Sequence, residues 1–377
     1  MVTARSKHRL YPRKLNAYLY RGLELWTAIT MQHREDLHIL HALLSATGVA
    51  GYEDGVGKIF EEHVHPYVDE VTRDTFGNYI ARKKGNGPKV LFAAHMDEVG
   101  LMITYIDTDG FIFFQPVGGV DCTLLPGQRV YIHHGATKVV GVIGKKAIHL
   151  LSVEERGKTN IKPEDLWIDI GATSREEAEL RVEIGDYITY STLPHMLTED
   201  VVLSKSLDDR AGVFALVEIA KSLVNVKLEC DLYLVASVQE EIGCRGIRTA
   251  AFSLEPEVGI AIDVTHATDY PTVSPKKSGN IEMGKGVVIA KGPNIDMQLF
   301  DHLKLAANNA DIAYQLEAIP HPTGTDANFM QVSRAGMRTA LLSIPCRYMH
   351  TSNEVVSTCD IFATSSLAVQ FLKERFA

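Results

Sequence analysis

The sequence predicts an α/β protein whose mostly parallel sheet is covered by helices and interrupted by a small inserted all-β domain. Beyond about residue 200, apolar runs of strand length alternate with segments of helical periodicity, which is typical of a parallel sheet with helices on its faces. Residues 103–199 instead contain short apolar runs between glycine, proline and aspartate turn signals, which indicate a β-rich unit. A chain of 377 residues is long enough to hold both parts.

The first elements are predicted from the spacing of apolar residues. Leucines three and four residues apart predict a helix over 37–44, and the same spacing predicts a second helix over 54–65. The nearly continuous apolar run at 89–94 predicts a buried central strand, after a shorter strand at 78–83. In the β-rich segment, strand-like runs occur at 111–114, 129–133, 138–143, 166–170 and 187–191, with helical periodicity at 173–181.

The remaining elements alternate between helix and strand. Each predicted strand is a short apolar run, and each predicted helix has apolar residues on one face or throughout. The helices are predicted at 209–223, 245–252, 296–309, 325–335 and 360–376, and the strands at 231–238, 258–264, 313–318 and 339–344.

These patterns divide the chain into a main domain and an insertion. We expect the main domain to comprise residues 31–102 and 200–377, and the inserted domain to be 103–199. Residues 1–30 carry six Lys or Arg against one acidic residue. We interpret this basic segment as an unstructured extension or an over-long start, with a docking arm and a targeting segment as the alternatives.

Composition and charge exclude several classes of protein. Apolar residues make up 46% and charged residues 23% of the chain, as in ordinary globular proteins. A net charge of −9 gives no general attraction to nucleic acid or to an anionic membrane. No apolar run approaches the roughly 18 residues of a membrane span, so a soluble protein is expected. The five scattered cysteines lack metal spacing and favour reduced thiols, and hence a cytoplasmic location.

Ionisable residues follow four of the apolar strands. His95 ends the run at 89–94, Asp263 ends the run that begins at Val258, and the pair Glu240-Glu241 and His350 follow two further strands. Ligands of open α/β sheets bind outside the carboxyl ends of the strands. Four such strands in one chain therefore predict one crowded site.

Two segments allow both a structural and a functional interpretation. His95 and Asp97 are two residues apart and project from the same face of an extended segment, so Asp97 could orient a metal-bound His95. A lone His-x-Asp is more often a satisfied histidine at a strand end. Asp208, which with Asp209 precedes an apolar helix, is an ordinary helix cap when considered alone, but an aspartate here could also bridge two cations.

The adjacent carboxylates Glu240 and Glu241 favour a metal site. Two buried carboxylates without cations cost several kcal/mol each, and Arg245 alone is insufficient to compensate them. One carboxylate could bind metal while the other acts as general base, and solvated surface acids are the alternative. Mixed histidine and carboxylate ligation suits zinc, cobalt or manganese better than calcium or magnesium.

At these residues the chain resembles a known family, the dinuclear-metal aminopeptidases. This family includes glutamyl aminopeptidase, the deblocking aminopeptidases and the TET peptidases, and some members are labelled cellulase or endoglucanase. The matching segments appear in the family's order across about 31–377. They are GYEDGV (51–56), AAHMDEVG (93–100), SLDDRAG (206–212), VQEEIGCRG (238–246), AIDVTH (261–266), GTDAN (324–328) and RYMHTSNEV (347–355).

The resemblance implies two metal sites that share one ligand. One metal is expected on His95, Asp208 and Asp263, and the other on Asp208, Glu241 and His350. Glu240 takes the position of the catalytic base, and Asp97 that of its supporting residue. The resemblance also implies a zinc-peptidase-like fold with the family's inserted β-rich domain, and dimers that assemble into dodecameric tetrahedral shells.

The expected function is therefore metal-dependent aminopeptidase activity on peptides. Two divalent ions, zinc first with cobalt or manganese as alternatives, would activate water, and Glu240 would serve as the general base. A related dinuclear carboxypeptidase or deacylase is the alternative. An endoglucanase fits less well, because glycosidases need two opposed carboxylates and as a rule no metal. A non-catalytic scaffold is disfavoured by the complete set of ligands and base.

Overall fold

An eleven-stranded mixed sheet and a closed six-stranded barrel make up the β-structure. The computed structural model describes residues 36–152 and 161–377. The chain divides into two units, residues 1–38 and residues 39–377, and both the sheet and the barrel belong to the second. The prediction made for residues 1–30 lies outside the described residues.

The strands are numbered in chain order. They are β1 (Glu70–Arg73), β2 (Tyr79–Lys83), β3 (Lys89–His95), β4 (Gly100–Ile106), β5 (Ile112–Val117), β6 (Arg129–His134), β7 (Thr137–Lys145), β8 (Leu166–Asp169), β9 (Tyr187–Tyr190), β10 (His195–Met196), β11 (Val201–Ser204), β12 (Asp231–Ser237), β13 (Val258–His266), β14 (Val287–Lys291), β15 (Tyr314–Ala318), β16 (Arg338–Arg347) and β17 (Glu354–Ser357).

The helices are numbered in the same way. They are α1 (Leu37–Ser45), α2 (Asp54–Val64), α3 (Arg175–Glu179), α4 (Leu207–Ser222), α5 (Arg245–Leu254), α6 (Pro275–Ser278), α7 (Met297–Asn309), α8 (Asp326–Gln331) and α9 (Thr358–Phe376). The predicted helix 325–335 is shorter than expected, and α8 ends at Gln331. Arg334 adopts a left-handed φ of 51°, a conformation that a continuous right-handed helix excludes.

The centre of the large sheet is parallel. Strands β12, β3, β13 and β16 are neighbours with parallel pairing, while β2 pairs antiparallel with β12, and β17 and β14 pair antiparallel with β16. The parallel strands are almost entirely buried, which explains their continuous apolar runs. The predicted α/β class is confirmed, with antiparallel strands added on both sides of the parallel centre.

Helix α4 packs against the sheet through contacts with β3 and β13 and also contacts α9. Every residue from Leu207 to Ala220 is buried. A helix that is buried on all sides has no solvated polar face, and beyond its first turn the buried part of α4 carries one ionisable residue, Glu218. The first turn of this helix therefore lies deep in the fold, beside the end of β3.

The barrel closes in the order β4-β5-β8-β7-β6-β9 and has its own apolar core. Leu101, Ile103, Phe114, Ile132 and Ile168 are among the buried residues at its centre. Its strands lie between Gly100 and Tyr190, so the segment that we assigned to an inserted domain supplies most of the barrel. The division into domains stays a prediction. In the described part of the chain, no helix is both long and apolar enough to cross a membrane.

Candidate metal centre

The carboxyl ends of the parallel strands bring the predicted site residues together. His95 is the last residue of β3 and is paired in register with Ser237 at the end of β12, just before Glu240. Asp263 lies near the end of β13, paired with Ser343 of β16. The side chains that follow neighbouring strands therefore converge at one edge of the sheet.

The carboxylate of Asp208 lies between the two imidazoles of the site. His95 Nε2 is 3.0 Å from Asp208 Oδ1, and His350 Nε2 is 3.2 Å from Asp208 Oδ2. Each carboxylate oxygen therefore faces one imidazole. Glu241 Oε1 is 3.4 Å from His350 Nε2, and Asp263 Oδ1 is 3.9 Å from His95 Nε2. All five residues predicted as metal ligands lie in this cluster.

The two interpretations that the sequence left open, helix cap and metal ligand, apply to different aspartates of the Asp208-Asp209 pair. Asp209 acts as the cap, because its Oδ1 accepts a hydrogen bond from the backbone N–H of Gly212 at 3.1 Å and its Oδ2 accepts from His95 N at 3.2 Å. Asp208 has non-helical angles, with φ −78° and ψ 106°, and its carboxylate points to the histidines. The peptide bond between the two aspartates is cis.

Each imidazole faces a backbone carbonyl through its other nitrogen. His95 Nδ1 is 3.2 Å from the carbonyl oxygen of Asp97, and His350 Nδ1 is 2.9 Å from that of Gly119. A proton on Nδ1 that is donated to a carbonyl leaves Nε2 directed at the carboxylates. This is the orientation that metal-binding histidines adopt.

The cluster holds four carboxyl groups, those of Asp208, Glu240, Glu241 and Asp263, and two imidazoles, those of His95 and His350. Burial raises the pKa of Glu240 to about 8, and it does the same for Glu241, where the nearby Asp208 carboxylate adds to the effect. Burial and the Asp208 carboxylate also raise the pKa of Asp263 well above its ordinary value. Without added cations, the site therefore favours protonated carboxyl groups.

Protonation of the two histidines supplies part of the positive charge that balances these carboxylates. The hydrogen bond to Asp208 raises the pKa of His350 to about 10, although burial opposes it. Burial also opposes protonation of His95, but Asp208 and Asp97 raise its pKa. Burial acts to raise the pKa of Asp208, and its hydrogen bonds with the two histidines outweigh that effect and lower it.

The donor set is of the kind that holds divalent cations. Potential ligand atoms of His95, Asp208 and Glu241 lie within 4.8 Å of one another, and so do those of His95, Asp209 and Asp263. Both oxygens of Asp209 already accept backbone hydrogen bonds, whereas those of Asp208 face the imidazoles of His95 and His350. Mixed imidazole and carboxylate donors suit zinc and its neighbours among the transition metals.

Asp97 supports the site in a way that its spacing did not reveal. Its carboxylate accepts hydrogen bonds from the backbone N–H groups of Glu240 at 2.9 Å and Glu241 at 3.0 Å. The same carboxylate is 3.5 Å from His95 Nδ1, farther than the Asp97 carbonyl. Asp97 therefore fixes the turn that carries the glutamate pair, while its backbone orients His95.

Glu240 faces an open cavity beside the cluster. Its Oε2 lies 4.0 Å from His95 Nε2, and its Oε1 accepts a hydrogen bond from the Cys244 thiol, whose sulfur is 3.0 Å away. The cavity has a volume of about 710 Å³, within the usual range for small-molecule sites. Its other lining residues include Asp208, Asp263, His266, Glu317, Phe329 and His350.

Four residues around the site were not predicted from the sequence. Cys244 contacts Glu240, Gly119 contacts His350, and Asp326 Oδ2 accepts a hydrogen bond from Ser237 Oγ at 2.6 Å. Glu354 accepts backbone hydrogen bonds from Asp208 and His350. Cys244, Asp326 and Glu354 fall in the segments that resemble the aminopeptidases, and this was the one signal that could have drawn attention to them.

The chain is similar to proteins whose activity is known by name. A family model described as M42 glutamyl aminopeptidase matches residues 77–367. A lysyl aminopeptidase of Pyrococcus furiosus is 40% identical over 343 residues, which cover 90% of this chain and 97% of that protein. A TET aminopeptidase structure from a marine-sediment thaumarchaeon has a TM-score of 0.87 and 32% identity, covering 91% of this chain and 97% of its own.

A further solved structure adds information on assembly. The Pyrococcus horikoshii TET1 peptidase has a TM-score of 0.79 and 32% identity, and the match covers 89% of this chain and 98% of that one. That peptidase can assemble into a tetrahedron or a large octahedral shell.

Proposed function

This chain belongs to the M42 glutamyl aminopeptidase family of metallopeptidases, and we propose that it releases N-terminal residues from peptides by a two-metal mechanism. The main observation in support is the position of the Asp208 carboxylate, which has one oxygen directed at His95 and the other at His350. Around this centre, Glu240, Glu241 and Asp263 add three carboxyl groups to that of Asp208, against the two imidazoles. Such a cluster is stable when divalent cations balance it.

The proposed ligands divide into two sets that share Asp208. His95, Asp208 and Asp263 would hold one cation, and Asp208, Glu241 and His350 the other. When bound, the cations supply Lewis acidity that lowers the pKa of water and polarises the scissile carbonyl. Zinc is the metal we propose first, with cobalt and manganese as alternatives.

Glu240 is the proposed general base. It takes a proton from the attacking water and delivers it to the departing amine when the peptide bond breaks. The contact between its Oε1 and the Cys244 thiol holds one carboxylate oxygen and leaves Oε2 on the side of His95. Asp97, through the backbone N–H groups of Glu240 and Glu241, fixes the turn that presents this base.

The free α-amino group of a peptide is the feature that we propose the site recognises. The same cavity is lined by Glu317, which is not a proposed metal ligand, and its carboxylate would attract a cationic amine. A blocked N-terminus lacks this charge. This difference accounts for cleavage at the end of a peptide instead of within it.

We also propose a cytoplasmic homo-oligomer. All five cysteines are free, as in proteins of a reducing compartment. Because the TET1 relative assembles into closed shells, we propose dimers that build a dodecamer. Peptides are the proposed substrates, and the net charge of −9 disfavours nucleic acid or an anionic membrane as a partner.

A panel of aminoacyl chromogenic substrates tests the proposed activity. The protein is stripped of metal, refilled separately with Zn²⁺, Co²⁺ or Mn²⁺, and assayed on each free aminoacyl substrate and on its N-acetylated counterpart. We expect hydrolysis of free substrates by the refilled protein, and none by the stripped protein or of the acetylated substrates. Turnover of N-blocked substrates alone would point to a carboxypeptidase or deacylase, and chelator-insensitive cleavage of cellulose would point to a glycosidase.

A further inference from the structure

We propose that Glu354 is a positioning residue that sets the separation between Asp208 and His350, and with it the site's affinity for metal. This inference rests on the proposed function, because it concerns ligands of the proposed cations. Glu354 does not face the cavity and is not itself a proposed ligand.

Glu354 connects two distant parts of the chain through their backbones. Its Oε2 accepts a hydrogen bond from Asp208 N at 3.0 Å, and its Oε1 accepts one from His350 N at 2.8 Å. Asp208 and Glu354 are 146 residues apart in sequence. One carboxylate thus holds the start of α4 and the loop after β16 at a fixed separation.

The position of Glu354 itself is rigid. It is the first residue of β17, it is 2% exposed, and it pairs in register with Ser204 of β11. A buried side chain on a paired strand loses little further freedom when it makes a contact. Its two hydrogen bonds therefore transmit the geometry of the sheet to the metal ligands.

His350 depends on this support because its backbone is strained. Its φ is 62°, in the left-handed region that non-glycine residues rarely adopt because it is energetically unfavourable for them. The hydrogen bond from its N–H to Glu354 Oε1, at 2.8 Å, holds the backbone in this conformation. Glu354 therefore compensates the conformation that turns the imidazole toward Asp208.

Asp208 needs the contact for a different reason. Its φ and ψ, −78° and 106°, place it outside the helical part of α4, so its orientation is not set by the helix. The N–H of Asp208 is held by Glu354, while its carboxylate oxygens lie 3.0 Å from His95 and 3.2 Å from His350. Loss of the anchor would let this carboxylate shift relative to both histidines.

The proposal is tested by metal binding to the metal-free protein. Wild type, Glu354→Gln and Glu354→Asp are titrated with Zn²⁺ by calorimetry at a temperature well below their unfolding transitions. Gln presents an N–H₂ group to one of the two backbone donors, and Asp keeps both oxygens on a shorter arm. We expect each variant to bind Zn²⁺ on the order of 10- to 100-fold more weakly than wild type, the loss seen when supporting residues of metal sites are changed.

Asp360→Asn is the matched control. Asp360 is also fully buried and also accepts two backbone hydrogen bonds, from Gly284 and Gly286, but neither of these contributes to the metal centre. This variant should lose thermal stability and keep wild-type affinity for Zn²⁺. If the role of Glu354 is purely structural, the Glu354 variants will also lose thermal stability and keep wild-type affinity for Zn²⁺.

The outcomes separate this inference from the proposed function. If either folded Glu354 variant binds two Zn²⁺ ions with wild-type affinity, Glu354 is not a positioning residue, although the two-metal proposal survives. If wild type does not bind two ions, the two-metal proposal itself is overturned. Co²⁺ absorption spectra provide a second readout, because a displaced ligand changes the bands of the bound ion even where affinity changes little.

Discussion

At the scale of single residues, Glu240 is the side chain whose proposed role is easiest to isolate. The Glu240→Gln substitution keeps the size of the side chain and removes its ability to take up a proton. We expect the variant to bind metal as wild type does and to lose about 10²- to 10⁴-fold in kcat. Metal content by elemental analysis and kcat on an aminoacyl substrate check the two halves of this expectation. Near-normal turnover would exclude Glu240 as the general base.

The sequence identified the polar residues at the strand ends but not the contacts between them. His95 and Asp263 were recognisable because ionisable side chains are unusual at the ends of buried apolar runs, whereas Asp208 considered alone resembled an ordinary helix cap. Glu354 and Gly119 were not recognisable, since Glu354 binds the distant backbone N–H of Asp208 and Gly119 uses its own carbonyl to contact the distant His350. Contacts of this kind leave no spacing pattern, and only the folded arrangement reveals them.

At the scale of elements, the loop between β5 and β6 connects the barrel to the metal centre. The Gly119 carbonyl in this loop lies 2.9 Å from His350 Nδ1, and a Cβ added at Gly119 would lie 2.9 Å from the same nitrogen. The Gly119→Ala substitution should therefore displace the imidazole. We expect Zn²⁺ affinity to fall by on the order of 10-fold, as for other changes beside a metal ligand, measured by calorimetry on metal-free protein.

A glycine-to-alanine substitution with little steric hindrance provides the control for Gly119→Ala. Gly55, in α2, has only the Thr47 carbonyl oxygen near an added Cβ, at 3.9 Å. Gly55→Ala should leave the affinity for Zn²⁺ unchanged. If Gly119→Ala also leaves the affinity for Zn²⁺ unchanged, the loop between β5 and β6 does not position His350.

The elements differ in how well the sequence predicted them. The buried parallel strands β3, β12, β13 and β16 are long apolar runs, and each was expected within a few residues of its observed bounds. The short flanking strands β11 and β17 were not predicted, because the run of four residues in each is too short to show a period. Closure of the barrel depends on pairing between β4 and β9, which local sequence does not specify.

At the scale of the whole molecule, a buried histidine in the barrel should make stability depend on pH. His133 is 6% exposed, its Nε2 lies 2.9 Å from Thr189 Oγ1, and its ring stacks on Tyr187. Burial, together with Lys138, lowers the pKa of His133 to about 4. The unfolded chain has the ordinary value of about 6.5 and binds this proton first as the pH falls.

The sign of the effect follows from this difference. Above about pH 6.5, His133 is neutral in both the folded and the unfolded chain and does not affect stability. As the pH falls from about 6.5 toward about 4, the unfolded chain binds the proton and the folded chain does not, so the free energy of unfolding decreases. We expect His133→Gln to show a shallower decline in the free energy of unfolding over this range, measured by denaturant titration at several pH values. Parallel curves for variant and wild type would show that His133 stays accessible to protons in the fold.

The proposed assembly gives a second expectation at this scale. Twelve copies of the 41.6 kDa chain would have a mass of about 500 kDa, as a closed shell built from dimers requires. Mass photometry or sedimentation velocity at working concentration measures this directly. A stable mass of one or two chains would contradict the dodecamer and leave the proposed chemistry intact.

The two histidines of the centre differ greatly in their access to solvent. The His95 side chain is 2% exposed, whereas that of His350 is 33% exposed. Exchange of a bound ion with bulk solvent should therefore be fast on the His350 side and slow on the His95 side. A limiting dose of chelator would then leave a long-lived half-loaded protein, which native mass spectrometry can detect. Refilling that species with a different metal would yield a mixed-metal centre in a defined order.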